Sequence, residues 1–512
     1  MKRLYILLIA IVLGVKSYGF VKLPDILSSG MVLQRNTAVP IWGTALPGED
    51  IKVTFGSQLH QTKADMSGNW KIFLDPLEAS ATGQTLLIQG INAIHLKDVV
   101  VGEVWLCAGQ SNMQLVLPMT NKGDSVIASA NYPMLHLFNV SRENSFGHTR
   151  GAIGTWEPCT PQSVKEFSAA GYYFGLGLEK QLKVPVGIIN ASFGGSQAEA
   201  WTPREYLRTP ALQPCIDRDT MWASQRANVQ VSYAKELEDW RAYAEKEKAA
   251  GRKPKEAPHQ PEALRDYRPT SSIYNHMVQP LIPYQIKGVF WYQGENNEGR
   301  AEQYRSLLPA MIQSWRDKWG YELPFGIIQL PNYRDKSQLP VDGAWSFLRD
   351  AQRRTSDSLA KTGLIVLIDA GEAHNIHPHN KQIVGERMLT WALGAVYGQN
   401  ILPSGPRFIK ATYSGKTVTV DFDQVGKGLK TVDGKLPQSF ALAGADHKWY
   451  WGEAKIINTH QIRVTSKEVK KPIAVRYAFN NNPDDPNLTN DSNIPASPFR
   501  SDDWPGPTQG KR

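Results

Sequence analysis

The stretch Val104-Trp105-Leu106-Cys107-Ala108-Gly109-Gln110-Ser111-Asn112-Met113 closes an apolar run that begins at Val99 and has one charged break, Glu103. A strand buried on both faces of a parallel sheet has this texture. Gly109 and Gln110 then turn the chain, Ser111 sits on the turn, and Met113 to Leu117 can begin a helix. Open α/β sheets keep their ligands at the carboxyl ends of the strands, so a Ser on such a turn can present its hydroxyl to a substrate. Main-chain N–H groups nearby can hold an oxyanion. The spacing is not Gly-x-Ser-x-Gly, so the turn is not an α/β-hydrolase elbow. The competing reading of Ser111 is a helix cap.

Around this stretch, residues 101–400 alternate between strand and helix. Val186 to Asn190, Gly288 to Tyr292, Phe325 to Leu330 and Leu364 to Ile368 are apolar runs of strand length. Tyr304, Leu307, Leu308, Met311, Ile312, Trp315 and Trp319 recur at helical spacing between two of them. This alternation predicts a parallel sheet covered on both faces. Residues 222–260 break the pattern with a charged helix running into a Pro/Lys-rich loop, read as a solvated insertion. Residues 20–100 carry short alternating runs between Gly, Pro and Asn turns, which predicts an N-terminal β-sandwich. Strand texture returns over 401–512 as a C-terminal β region.

The chain has 512 residues, more than one core usually supports. Its 57 basic and 48 acidic residues are dispersed, with no Lys/Arg block, so the net +9 is surface character and no nucleic-acid partner is expected. The 15 Trp suit either sugar-binding clefts or core packing. Lys2-Arg3, the apolar run Leu4 to Val15 and small residues at Ser17 and Gly19 form a signal-peptide pattern over residues 1–19. It predicts a periplasmic or secreted mature chain starting near Phe20, with no stable membrane span after cleavage. Cys107, Cys159 and Cys215 allow at most one disulfide and have no metal-ligand spacing.

Three further stretches lie at strand exits. In Asn190-Ala191-Ser192-Phe193-Gly194-Gly195-Ser196 the paired glycines allow close approach of a main-chain N–H to a bound group, or simply a tight turn. Trp291-Tyr292-Gln293-Gly294-Glu295-Asn296-Asn297 gathers amides and a carboxylate, either to stabilise an oxyanion or to brace the loop. Asp369 to Lys381 holds His374, His377 and His379. Their spacing on a Pro-broken loop is a poor zinc pattern, and a general base for Ser111 is the better reading of one of them. No metal or cofactor is expected.

Together the four blocks resemble those of the SGNH hydrolases, in particular the sialate O-acetylesterase branch of carbohydrate acetylesterases. The resemblance also takes in Pro495-Ala496-Ser497-Pro498-Phe499-Arg500 and covers nearly the whole chain. It implies a flavodoxin-like three-layer domain flanked by the two β regions, and an O-acetylated sugar or glycan as substrate. It implies Ser111 as nucleophile and His377 as base. The oxyanion hole would use the Ser111 N–H, Gly194 or Gly195, and an amide from Gln293 or, as second choice, Asn296. Glu295 would fix its loop.

One position departs from the family pattern. Asn375 stands where an Asp usually orients the catalytic His. The chain can work as a dyad, borrow Asp369 or Glu372, or be an impaired glycan-binding homologue. If Asn375 marks a deficient site, Asn375→Asp should raise kcat/KM by about 10-fold or more. The rival substrate is an acetylated plant polysaccharide such as acetylxylan. A glycosidase using Glu295 and Glu372 would leave Ser111 and His377 without roles.

Overall fold

Along the central strand, Trp105 and Cys107 face one hydrophobic core while Val104, Leu106 and Ala108 face another. The two-residue period of a strand divides one apolar run between two helical layers. The computed structural model describes residues 20–142 and 153–511. The signal-peptide stretch 1–19 lies outside the described residues.

The strand order is Thr362–Ile365, Phe325–Ile328, Gly288–Tyr292, Ala93–Gly109, Val186–Ser192, Tyr132–Asn139, Trp156–Cys159. Every neighbouring pair is parallel except the last, which is antiparallel. Helices Ala301–Trp319 and Ala344–Ser358 cover one face through Leu308, Met311, Trp315, Trp345 and Leu348. Helices Ala169–Leu182 and Lys381–Trp391 cover the other through Phe174, Leu178, Met388 and Trp391. The result is the three-layer α/β arrangement of an SGNH hydrolase. Nine of the 15 Trp are buried, so this residue type is chiefly core material here.

The central strand is 17 residues long. Its first half pairs antiparallel with Ser80–Gln89, and Val100 to Gly102 pair in parallel with Val32–Gln34. Its second half lies between Val186–Ser192 and Gly288–Tyr292. Position 100 thus falls inside one continuous strand that ties the N-terminal β layer to the parallel sheet. A second N-terminal layer pairs Val39–Thr44 with Asn69–Leu74.

At the other end, two antiparallel sheets meet across Phe408, Phe422, Phe440 and Phe499, with Phe408 and Phe499 stacked at 4.2 Å. The closing Phe499-Arg500 is structural. Arg500 is 1% exposed and reaches Asp350 of helix Ala344–Ser358 at 3.3 Å, which fastens the C-terminal sheets to the central domain. The charged insertion is a helix, Gln213–Ala249, starting earlier than its composition suggests. Cys107, Cys159 and Cys215 are buried free thiols. Among the described residues no helix is long and apolar enough to cross a membrane.

Candidate active site

Ser111 is placed by the strand exit before it. Gly109 has φ +141°, and a Cβ there would lie 2.1 Å from the Tyr292 carbonyl oxygen, so only glycine lets the neighbouring strands end this close together. The Gln110 N–H donates to that same carbonyl at 2.9 Å. Gln110 is extended and takes the N-cap position of the short helix Ser111–Gln114, without a side-chain cap. The cap reading of Ser111 is therefore not realised: the residue lies one position inside the helix, and its hydroxyl is used elsewhere. Ser111 Oγ is 2.8 Å from His377 Nε2.

His377 comes from the loop between strand Thr362–Ile365 and helix Lys381–Trp391. Burial and the nearby Lys381 charge both lower its pKa, which favours the neutral imidazole a base requires. The three histidines of this loop diverge. His374 faces Asp335 at 3.6 Å, His377 faces Ser111, and His379 faces Glu372 at 2.9 Å.

None of the three residues expected to orient His377 touches its ring through a hydrogen bond. Asn375 Oδ1 accepts from the His377 main-chain N–H at 3.0 Å, and its Nδ2 donates to Glu372 at 3.2 Å. Asp369 is held by Arg387 through two bonds of 2.6 and 2.7 Å. Glu372 accepts from the His379 main-chain N–H at 2.7 Å. Among the described residues nothing accepts a hydrogen bond from His377 Nδ1, so the geometry is that of a Ser-His dyad.

The oxyanion candidates also separate. Gly194 adjoins the nucleophile: a Cβ there would lie 3.6 Å from Ser111 Cβ. Its N–H donates to Gln114 Oε1 at 2.6 Å. Gly195 has φ +71°, and among the described residues no acceptor takes its N–H or that of Ser111. Gln293, the first choice for the amide, is fully buried. It gives both hydrogens to Ser196 O at 3.2 Å and Asn297 Oδ1 at 2.7 Å, and so braces the loop. Asn296, the second choice, reaches the site: its Nδ2 donates to the Gly195 carbonyl, leaving one hydrogen over.

Three features around the dyad were not assigned from sequence. Gln114 occupies Gly194. Asn112 and the buried Lys381 bond at 2.6 Å behind Ser111. The Phe193 and Tyr267 rings pack at 4.7 Å, tilted by 37°, beside the glycine pair, where a Gly195 Cβ would be 3.5 Å from the Tyr267 hydroxyl. A lysine opening a helix, as Lys381 does, is a signal in itself, because a cation opposes the positive end of the macrodipole. As for a glycosidase pair, Glu295 is bonded to Asn112 at 2.6 Å and Glu372 to His379, so each carboxylate is already committed.

A parallel sheet covered on both faces, with a Ser-His pair at its carboxyl edge, defines an SGNH-type carboxylic ester hydrolase. Residues 259–388 match the family model described as carbohydrate esterase, sialic acid-specific acetylesterase. The structure superposes with a TM-score of 0.79 on a novel carbohydrate acetylesterase from Xanthomonas citri, which is 34% identical over 94% of this chain and 100% of that one. Sialate O-acetylesterases are similar along most of their length. That of Rattus norvegicus is 26% identical over 88% of both chains, and that of Homo sapiens 25% identical over 92% of this chain and 91% of its own. The chain belongs to this family of carbohydrate acetylesterases.

Proposed function

We propose that the chain removes O-acetyl groups from sialic acid or a related acetylated sugar through an acetyl-serine intermediate. The observation that carries this reading is the 2.8 Å contact between Ser111 Oγ and His377 Nε2 at the carboxyl end of the sheet. Ser111 Oγ attacks the acetyl carbonyl carbon while Nε2 takes its proton. The developing oxyanion accepts from the Ser111 and Gly195 N–H groups and from Asn296 Nδ2. The Gly194 N–H joins them once the Gln114 amide withdraws. Collapse expels the sugar oxygen, which takes the proton from Nε2. Water, deprotonated by the same nitrogen, then attacks the acetyl group, and Ser111 recovers its proton as acetate leaves.

Two substrate classes remain in play. The sialate O-acetylesterases favour sialic acid by their length of similarity. The higher identity to the Xanthomonas citri carbohydrate acetylesterase, 34% against 25–26%, favours other acetylated carbohydrates, plant polysaccharide included. Acetate release from O-acetylated sialic acid and from acetylated xylan, measured side by side, distinguishes them. Ser111→Ala should abolish release from either substrate and from an aryl acetate, with the unfolding transition nearly unchanged. Retained activity would remove Ser111 from the mechanism. The exported location read from residues 1–19 belongs to the same proposal, and a mature N-terminus near Phe20 is its expected signature.

A further inference from the structure

Behind the dyad, three polar side chains that take no part in bond-making are joined in a row. Lys381, 1% exposed, donates from Nζ to Asn112 Oδ1 at 2.6 Å. Asn112 is fully buried and donates from Nδ2 to Glu295 Oε1 at 2.6 Å and to the Ile376 carbonyl at 2.9 Å. Asn112 follows Ser111 in the chain, and Ile376 precedes His377. One amide therefore ties the residue after the nucleophile to the residue before the base, across 264 positions of sequence. As an ammonium Lys381 can only donate, so in that form it fixes which way the amide faces, and both hydrogens point at Glu295 and Ile376.

The acid of a Ser-His-Asp triad orients the imidazole and stabilises its charge. Among the described residues no carboxylate is hydrogen-bonded to the His377 ring. We propose that Asn112, oriented by Lys381 and Glu295, is a positioning residue that takes over the orienting half of that task, holding the His377 loop against the Ser111 turn through the main chain. This rests on the Ser111–His377 chemistry proposed above.

The charges around the row oppose the other half of the task. His377 faces Ser111 and Lys381, and the Lys381 charge lowers the imidazole pKa, whereas a triad acid would raise it. Lys381 faces Asn112, Glu295, Glu372 and the Tyr292 ring, whose centre is 5.5 Å away, and burial brings its ammonium down to about 7. Glu295 faces Asn112, Lys381 and Tyr292, and burial raises its carboxyl pKa. Its Oε2 is buried without a hydrogen-bond partner among the described residues. The row thus supplies geometry and no electrostatic help.

The test measures kcat, KM and the pH profile of kcat/KM on an aryl acetate for the full chain and for Ser111→Ala, Asn112→Leu, Asn112→Asp and Lys381→Met. Asn112→Leu should lower kcat about 100-fold with KM changed less than about threefold, the signature of a displaced dyad. Asn112→Asp keeps shape and the Lys381 contact but has no hydrogens for Ile376. It should be as poor, and it decides the matter if the Leu variant fails to fold. Lys381→Met should lower kcat and also move the acid limb of kcat/KM to higher pH, because a cation no longer opposes the imidazolium. A merely structural role would leave that limb in place. The inference is overturned if Asn112→Asp keeps kcat within about threefold of the parent, or if Lys381→Met does not shift the limb. Activity in Ser111→Ala would instead overturn the dyad itself. An inert Ser111→Ala beside fully active Asn112 variants would sink only the positioning role.

Discussion

Asn375 shows how far a single residue can be read before its contacts are known. The family pattern marks it as the place of a missing acid, which predicts a faster Asn375→Asp enzyme. Its side-chain oxygen instead closes a turn onto the His377 main-chain N–H, and its amide is 3.2 Å from Glu372. An Asp there would keep the turn, gain no reach to the ring and set two carboxylates against each other. Asn375→Asp is therefore expected to give no gain, with kcat/KM at or below the parent value. Asp369→Asn, which loses only a partner of Arg387, should stay within about threefold. A tenfold rise in the first, measured on an aryl acetate, would mean that residue 375 does orient the imidazole. The pH profile is a second check at this scale. Burial and Lys381 lower His377 below its ordinary 6.5, and the neutral ring is the reactive form. The acid limb of kcat/KM should thus have its midpoint below 6.5, with the rate lost only as pH falls through it. Ser111 and His377 were legible because motif blocks name them. Which of Gln293 and Asn296 lies beside the glycine pair was not legible, because a block gives the order of amides along the chain and not which one turns inward.

At the scale of the element, the run Val99 to Ala108 identified the buried strand, and its period of two explains the pair of cores. Its first third was hidden. His95, Lys97 and Asp98 interrupt any apolar run, yet the strand extends unbroken from Ala93, with its early pairing made in the N-terminal β layer. Polar residues on the open face of an antiparallel pair leave a weaker trace than a strand buried on both sides. The exit of this strand is its least tolerant point. Gly109→Ala would impose φ +141° on a residue with a Cβ and drive that Cβ to 2.1 Å from the Tyr292 oxygen. The expected cost is about 3 kcal/mol or more. Denaturant unfolding should show it, together with lost activity, since the same turn sets the height of Ser111. An unaltered transition would show that the two strand ends can separate freely.

The whole molecule is asymmetric about its site, and helix Gln213–Ala249 is the clearest case. Its 37 residues span about 55 Å, and beyond Ile216 only Ala244 is buried. Its base is integrated. Arg218 and Arg300 each reach Glu199 at 2.6 Å, and Arg226 reaches Asp266 at 2.6 Å. Burial alone would raise the Glu199 carboxyl, but the two arginines overcome it and hold it at about 2. The chain that follows brings Tyr267 against Phe193 beside the glycine pair. Beyond the base the helix is different: Val231 at its middle is 74% exposed, and the returning loop touches the helix through Tyr233 and Pro258 at 3.3 Å and Trp240 and Lys255 at 3.0 Å. Composition alone read residues 222–260 as one solvated insertion and did not mark the base before it, because ion pairs that hold a base and charges that solvate a tip look alike in sequence. The two parts should respond oppositely to change. Removing residues 234–257 and joining Tyr233 to Pro258 by a short Gly/Ser linker should leave kcat/KM within about twofold and move Tm by less than about 3 °C. Arg218→Met should cost about 2 kcal/mol, short of a fully broken buried pair because Arg300 still faces Glu199. Calorimetry and aryl-acetate kinetics on both variants test this. If the shortened chain loses activity while remaining folded, the tip contributes to the site and the division of the helix into base and arm is wrong.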